Sequence, residues 1–165
     1  MLLKKFKKTF SNRKAIGMFD AVLAIPFVFG FIFFLLVMCS AVEYVDVQME
    51  VTRILNNTVD TMAYEAEITQ PAQKRTQEQL NNLRATTGDY TLTYILYTYK
   101  NGSFNREVLG VGTNKNIILK REIPKGGTLR ILYESKNSTT LGKLLATVRK
   151  GSSSKIVRAS EAFIN

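Results

Sequence analysis

The chain has 165 residues, with 23 Lys and Arg against 13 Asp and Glu, a net charge of +10, no histidine and one cysteine. The lack of histidine, and the place of the single thiol inside an apolar run, exclude metal sites built on nitrogen and sulfur and histidine-assisted nucleophiles. One cysteine also leaves no intrachain disulfide, so a folded part of this chain must be held by packing alone.

Residues 1–17 form a basic leader, with Lys4, Lys5, Lys7, Lys8, Arg13 and Lys14 and no acid. Asp20 follows, and then 22 uncharged residues from Ala21 to Val42, AVLAIPFVFGFIFFLLVMCSAV. As a helix this stretch rises about 1.5 Å per residue and crosses roughly 30 Å of hydrocarbon, enough for a bilayer. Secretory signal peptides carry a shorter apolar core of about 7–15 residues, so residues 18–42 read as a retained transmembrane helix, with cleavage after Ala41, which the small Cys39 and Ala41 allow, as the alternative. Six cations precede the span, and Glu43, Asp46 and Glu50 against Arg53 follow it. That asymmetry predicts a single pass with the N-terminus cytoplasmic and the C-terminal part exported.

Helical patterning continues past the span. Val45, Met49, Thr52, Leu55, Val59, Met62 and Ala66 recur at intervals of three or four, which predicts one helix from about Asp20 to Glu67 with residues 43–68 as its exported half. The stripe suits either a coiled-coil face for partner subunits or the seat of the chain's own sheet; a small sheet needs cover on one face and no other long helix is in prospect, so the second is expected. Thr69-Gln70-Pro71 ends the helix, because proline restricts the residue before it and suits a first helical turn. Residues 69–88 are read as a second helix, with Ala72, Thr76, Leu80 and Leu83 on one face, and a turn at Thr87-Gly88-Asp89.

Residues 89–165 change character and are read as an antiparallel β domain. Tyr90–Lys100 is rich in β-branched and aromatic residues and runs into Asn101-Gly102, a strong hairpin signal. Further strands are expected at Phe104–Val111, Asn116–Ile123, Thr128–Glu134, Leu144–Arg149 and Lys155–Ala159, with a short helix as the alternative over Thr140–Val148. The fold class is therefore α+β, a long N-terminal helix packed on a small antiparallel sheet. Charge divides along the same lines: residues 43–85 sum to −3 and residues 86–165 to +8.

Within this plan, which is that of pilins and pseudopilins, Gly17-Met18-Phe19-Asp20 followed by Ala21-Val22-Leu23-Ala24-Ile25-Pro26 resembles the N-terminus of the TadE-like minor pseudopilins of tight-adherence (Flp, type IVb) pili. In that family a basic leader and a glycine precede an acid six positions before a proline, the spacing of Asp20 and Pro26. The family usually has glutamate at the acidic position and its glycine about two residues further upstream. The resemblance implies leader processing by a prepilin peptidase between Gly17 and Met18. It also implies pairing of Asp20 with the new N-terminal amine of a neighbouring subunit, and a Pro26 that helps helices pack. The residues alone equally allow Asp20 to be an interfacial acid at a helix N-terminus, worth about 0.3–1 kcal/mol. By the same resemblance the chain is a noncatalytic pseudopilin or minor pilin of a Tad-like pilus or related secretion apparatus. Its partners would be membrane lipid, other pilin or pseudopilin subunits and the assembly machinery, in a bacterial cytoplasmic membrane and with no cofactor.

The rival reading is a solitary single-span protein whose exported domain binds a ligand, an anionic wall polymer or a protein through cations such as Lys120, Arg121, Lys125 and Arg130. Specific nucleic-acid recognition is not expected, since Tyr94 points opposite to Tyr97 and Tyr99 on a strand. Enzyme motifs are lacking: Ser152-Ser153-Ser154-Lys155 sits in a turn-like tract, and Gly110-Val111-Gly112 is not followed by the rest of a dinucleotide fingerprint.

Overall fold

The structure, a computed structural model, describes residues 13–100, 102–138 and 155–165. Helix α1 spans Arg13–Glu65 and is followed by β1 (Glu67–Ile68), α2 (Gln70–Asn82), the one-turn α3 (Arg84–Thr87), β2 (Tyr90–Lys100), β3 (Ser103–Thr113), β4 (Arg121–Glu122), β5 (Gly127–Ser138) and β6 (Lys155–Phe163). The chain is α+β, a long N-terminal helix with a small antiparallel sheet. Two compact units divide it, Met1–Ala41 and Val42–Asn165. The expected leader lies mostly outside the described residues, as do the expected strand Leu144–Arg149 and its helical alternative Thr140–Val148.

In the first unit α1 is already helical at Arg13, seven residues before the predicted start, because Arg13-Lys14-Ala15-Ile16 contains no breaker and one glycine does not stop a helix. It runs on through Pro26, whose missing N–H leaves the Val22 carbonyl without its helical donor. Phe27, Phe29, Phe31, Phe33 and Phe34 all lie exposed along this helix. It is long and apolar enough to cross a membrane, with a mean hydropathy of 2.6 over an 18-residue window of which nothing is buried.

In the second unit one stripe of α1 is buried, formed by Val47, Val51, Ile54, Leu55, Val59 and Met62. The lower half of the predicted stripe is corrected here: Leu55, Val59 and Met62 are buried, whereas Val45 and Met49 are exposed. Intervals averaging 3.5 residues slip by about 20° per heptad around a helix of 3.6 residues per turn, so Val47 and Val51 occupy the docked side. The helix stops at Ala66, which takes a left-handed φ of 51° and whose carbonyl accepts the N–H of Ile123 at 2.8 Å. This turn sets β1 against β4, with Glu67 opposite Glu122 and Ile68 opposite Arg121.

Pro71 opens α2, as its fixed φ and absent N–H favour. Gln73, Thr76 and Leu80 form its buried side, and the Thr76 hydroxyl meets that of Thr58 on α1 at 2.6 Å inside the core. The expected turn at residues 87–89 is present, with Gly88 at φ 69°. A Cβ there would come within 2.3 Å of the Asn137 side chain, so both the backbone and the space require glycine.

The main sheet has the order β3-β2-β5-β6, every neighbour antiparallel. Its inner face presents Leu92, Tyr94 and Leu96 from β2, directly opposite Tyr133, Ile131 and Leu129 of β5, to the buried stripe of α1. Between Tyr94 and Ile95 the register against β3 slips, making Leu109 the extra residue of a bulge. The strand expected over Asn116–Ile123 is corrected to two residues, Arg121–Glu122, because the chain before it crosses over the sheet and bonds to side chains of α2 instead of a ladder.

Candidate functional site

The residues singled out by the pilin-like pattern lie on the first part of α1. Gly17, Met18 and Asp20 all fall within the helical backbone, so the Gly17–Met18 peptide bond belongs to a helix. Pro26 lies one turn and a half further on and is exposed. Cys39 is likewise exposed on the same apolar helix, where it serves as a small hydrophobe.

The four cations proposed as a polymer-binding surface belong to different elements. Lys120 meets Glu67 at 2.7 Å, and Arg121 meets Glu107 at 2.5 Å. Lys125 occupies the turn before β5. Arg130 stands within the sheet, opposite Ile95 on one side and Glu161 on the other. Two of the four are thus engaged by carboxylates; the Arg121–Glu107 pair is exposed enough that water screens much of its attraction, whereas the Glu67 side chain is mostly buried.

Beside the buried stripe, α1 and β6 are joined by polar contacts: Arg158 donates to the Gln48 side-chain oxygen, and the Ser160 hydroxyl meets Asn56 Oδ1 at 2.5 Å. Gln48, Asn56 and Arg158 line an open groove of about 630 Å³ in which the exposed Val45 and Met49 take part. On the same helix Glu50 is held below the usual carboxylate range by its hydrogen bond to Arg53, which sits at 2.5 Å.

The interior beside α2 is built from tyrosines. Tyr90 and Tyr133 rings lie 5.5 Å apart at a tilt of 30°, and the Tyr90 hydroxyl donates to the Gln77 carbonyl at 3.2 Å. Burial pushes the phenols of Tyr90, Tyr94 and Tyr133 above the ordinary tyrosine range, since an ionised phenolate would lose its hydration there.

The opposite face of the sheet carries what the sequence reading missed. Its residues alternate with the core positions: Ile95, Tyr97 and Tyr99 on β2, Phe104 and Val108 on β3, Leu132 on β5, and Val157 and Phe163 on β6. Phe104 is 81% exposed, with its ring 5.0 Å from that of Tyr99. The signal was present in Tyr94-Ile95-Leu96-Tyr97, where apolar residues stop alternating, the pattern of a strand with apolar contacts on both faces. The chain matches no protein-family model, no curated protein and no solved structure.

Proposed function

We propose that the chain is a noncatalytic, membrane-anchored pseudopilin or minor pilin of a Tad-like pilus or a related secretion apparatus, with its N-terminus cytoplasmic and its sheet domain exported. The observation that carries this reading is α1, a helix unbroken from Arg13 to Glu65 that is apolar and largely exposed from Val22 to Val42 and then bears a buried stripe. A helix that is apolar all round suits lipid, and one with a single apolar stripe suits a domain core. Asp20 and Pro26 supply the pilin-like spacing within it. A carboxylate at the edge of hydrocarbon is costly, up to about 2.5–3.5 kcal/mol at the bilayer centre, so a neighbouring subunit's amine would favour an assembled register.

On this reading the partners are membrane lipid, other pilin or pseudopilin subunits, the assembly machinery and a prepilin peptidase. The test is mass spectrometry of the N-terminus of the chain recovered from assembled filaments or secretion complexes. A start at Met18, lost in a Gly17→Val variant, is the expected result. Met1 retained in a functional assembly would overturn the processing step. Spans that fail to crosslink through cysteines placed along Val22–Val42, in a Cys39→Ser background, would remove the assembly role itself.

A further inference from the structure

We infer that the sheet face turned away from α1 is the seat of this chain's own residues 139–154, the stretch between β5 and β6 that lies outside the described residues. Ile95 carries the argument. It stands in the middle of that face on a central strand, opposite Val108 on one side and Arg130 on the other, and it is only 2% exposed. Among the described residues it alone is apolar and buried yet outside the hydrophobic core that α1 and α2 share with the inner face. Its neighbours on the sheet do not account for this, because strand side chains stand roughly perpendicular to the sheet and shield one another's flanks.

Exposure grows outward from Ile95. Tyr97 and Leu132, also on the two central strands, are half-buried, whereas Val108 and Val111 on the β3 edge and Val157 on the β6 edge are exposed. A helix with its side chains is about 10–12 Å across and strands lie about 4.8 Å apart, so one helical segment covers two strands and leaves the outer two bare. A second sheet laid on this face would shelter the edges as well.

The length of the stretch and the places where it begins and ends agree with this. Ser138 and Lys155 are paired neighbours at one end of β5 and β6, and Glu161, level with Arg130 and Ile95, lies six residues along β6 from Lys155, about 20 Å at roughly 3.3 Å per residue. Leu141, Leu144, Leu145 and Val148 recur at the intervals of one helical face, with Lys143 and Lys150 on the far side of the same wheel. Eight helical residues span about 12 Å. With the remaining residues extended, the stretch reaches about 20 Å out along the sheet and returns. So short a helix is marginal in water by itself and needs an apolar surface to lie on, which Ile95, Tyr97 and Leu132 supply. The sheet is then the middle of three layers.

The experiment uses the full chain in lipid nanodiscs and in a mild detergent, with Cys39→Ser to remove the native thiol. Thr93, half-buried on this face two residues before Ile95 and opposite Leu132, takes the probe as Thr93→Cys. Its reaction with a water-soluble maleimide is expected to be slow at every protein concentration and in both media, and about tenfold faster or more once Leu144→Asp and Leu145→Asp are added. Protection that is lost on dilution would put a second copy on the face, and protection found only in nanodiscs would put lipid there; either overturns the proposal. Equal rates with and without the two aspartates, in a chain that keeps its β-sheet circular dichroism, would overturn it too. If the aspartate variant does not fold, Thr93→Cys with Leu145→Cys decides: mild oxidation is expected to close a disulfide within one chain, and a disulfide between chains, or none, refutes the proposal.

Discussion

Gln73 and Ile118 bond each other twice, the Ile118 N–H donating to Gln73 Oε1 at 2.9 Å and Gln73 Nε2 donating to the Ile118 carbonyl at 3.2 Å. A primary amide offers one donor and one acceptor side by side, so it stands in for the neighbouring strand that residue 118 lacks. Gln77, one turn on, donates to the Thr113 carbonyl at 2.9 Å. Together they tie the connection between β3 and β4 to α2. Gln73→Ala should cost about 2–3 kcal/mol, since it strands two backbone groups in a part-buried place, and urea unfolding of the full chain in detergent measures it. Gln73→Glu should not rescue it, because a carboxylate has no N–H for the Ile118 carbonyl.

The same connection presses on β3. A Cβ built on Gly110 would lie 2.8 Å from Ile118 Cγ2, too close for the present packing. Gly110→Val should therefore destabilise by about 1–3 kcal/mol, an overpacking cost. Combining it with Ile118→Ala should recover part of the loss, and a double-mutant cycle on the two positions reads that coupling.

Alkali should unfold the sheet domain. Tyr90, Tyr94 and Tyr133 have folded pKa values raised by burial. Their neutral forms are favoured in the fold, so their contribution is fully present below the unfolded value of about 10 and is lost as pH rises above it. Phenolate absorbance should show these three titrating late, together with the loss of β-sheet circular dichroism. Titration of these three at the unfolded value of about 10, with the fold intact, would contradict this.

Polar contacts should differ in worth according to burial. Arg121→Ala, which breaks an exposed pair with Glu107, should change stability by less than about 1 kcal/mol. Thr76→Val, which removes the buried bond to Thr58, should cost about 1 kcal/mol or more despite its similar size. Thermal unfolding of the two variants side by side provides the comparison.

The sequence revealed the elements with strong local signals. The apolar run of α1, the proline at the head of α2, the β-branched and aromatic content of β2 and the turn clusters between strands all rest on neighbours close in the chain. What escaped it depended on distant partners. Residues 116–120 are apolar enough to read as a strand, yet Gln73, more than forty residues upstream, takes the Ile118 backbone groups a ladder would have used. The pairing of Lys120 with Glu67 and of Arg121 with Glu107 was equally invisible in the sequence. Gly110 and Gly112 were noticed for a motif they do not complete, while the nearby Ile118 explains the need for a residue without a side chain at the first of them.

The contacts of β6 with α1 join residues 110 and 104 positions apart, Gln48 with Arg158 and Asn56 with Ser160. During synthesis α1 emerges about a hundred residues before β6. The sticky side of the helix therefore waits, incompletely sheltered, until β6 has appeared, and long-range closures of this kind are slow to find. A newborn molecule stalled before Lys155 would leave Gln48 and Asn56 without Arg158 and Ser160, an obvious target for holding chaperones and for quality-control proteases.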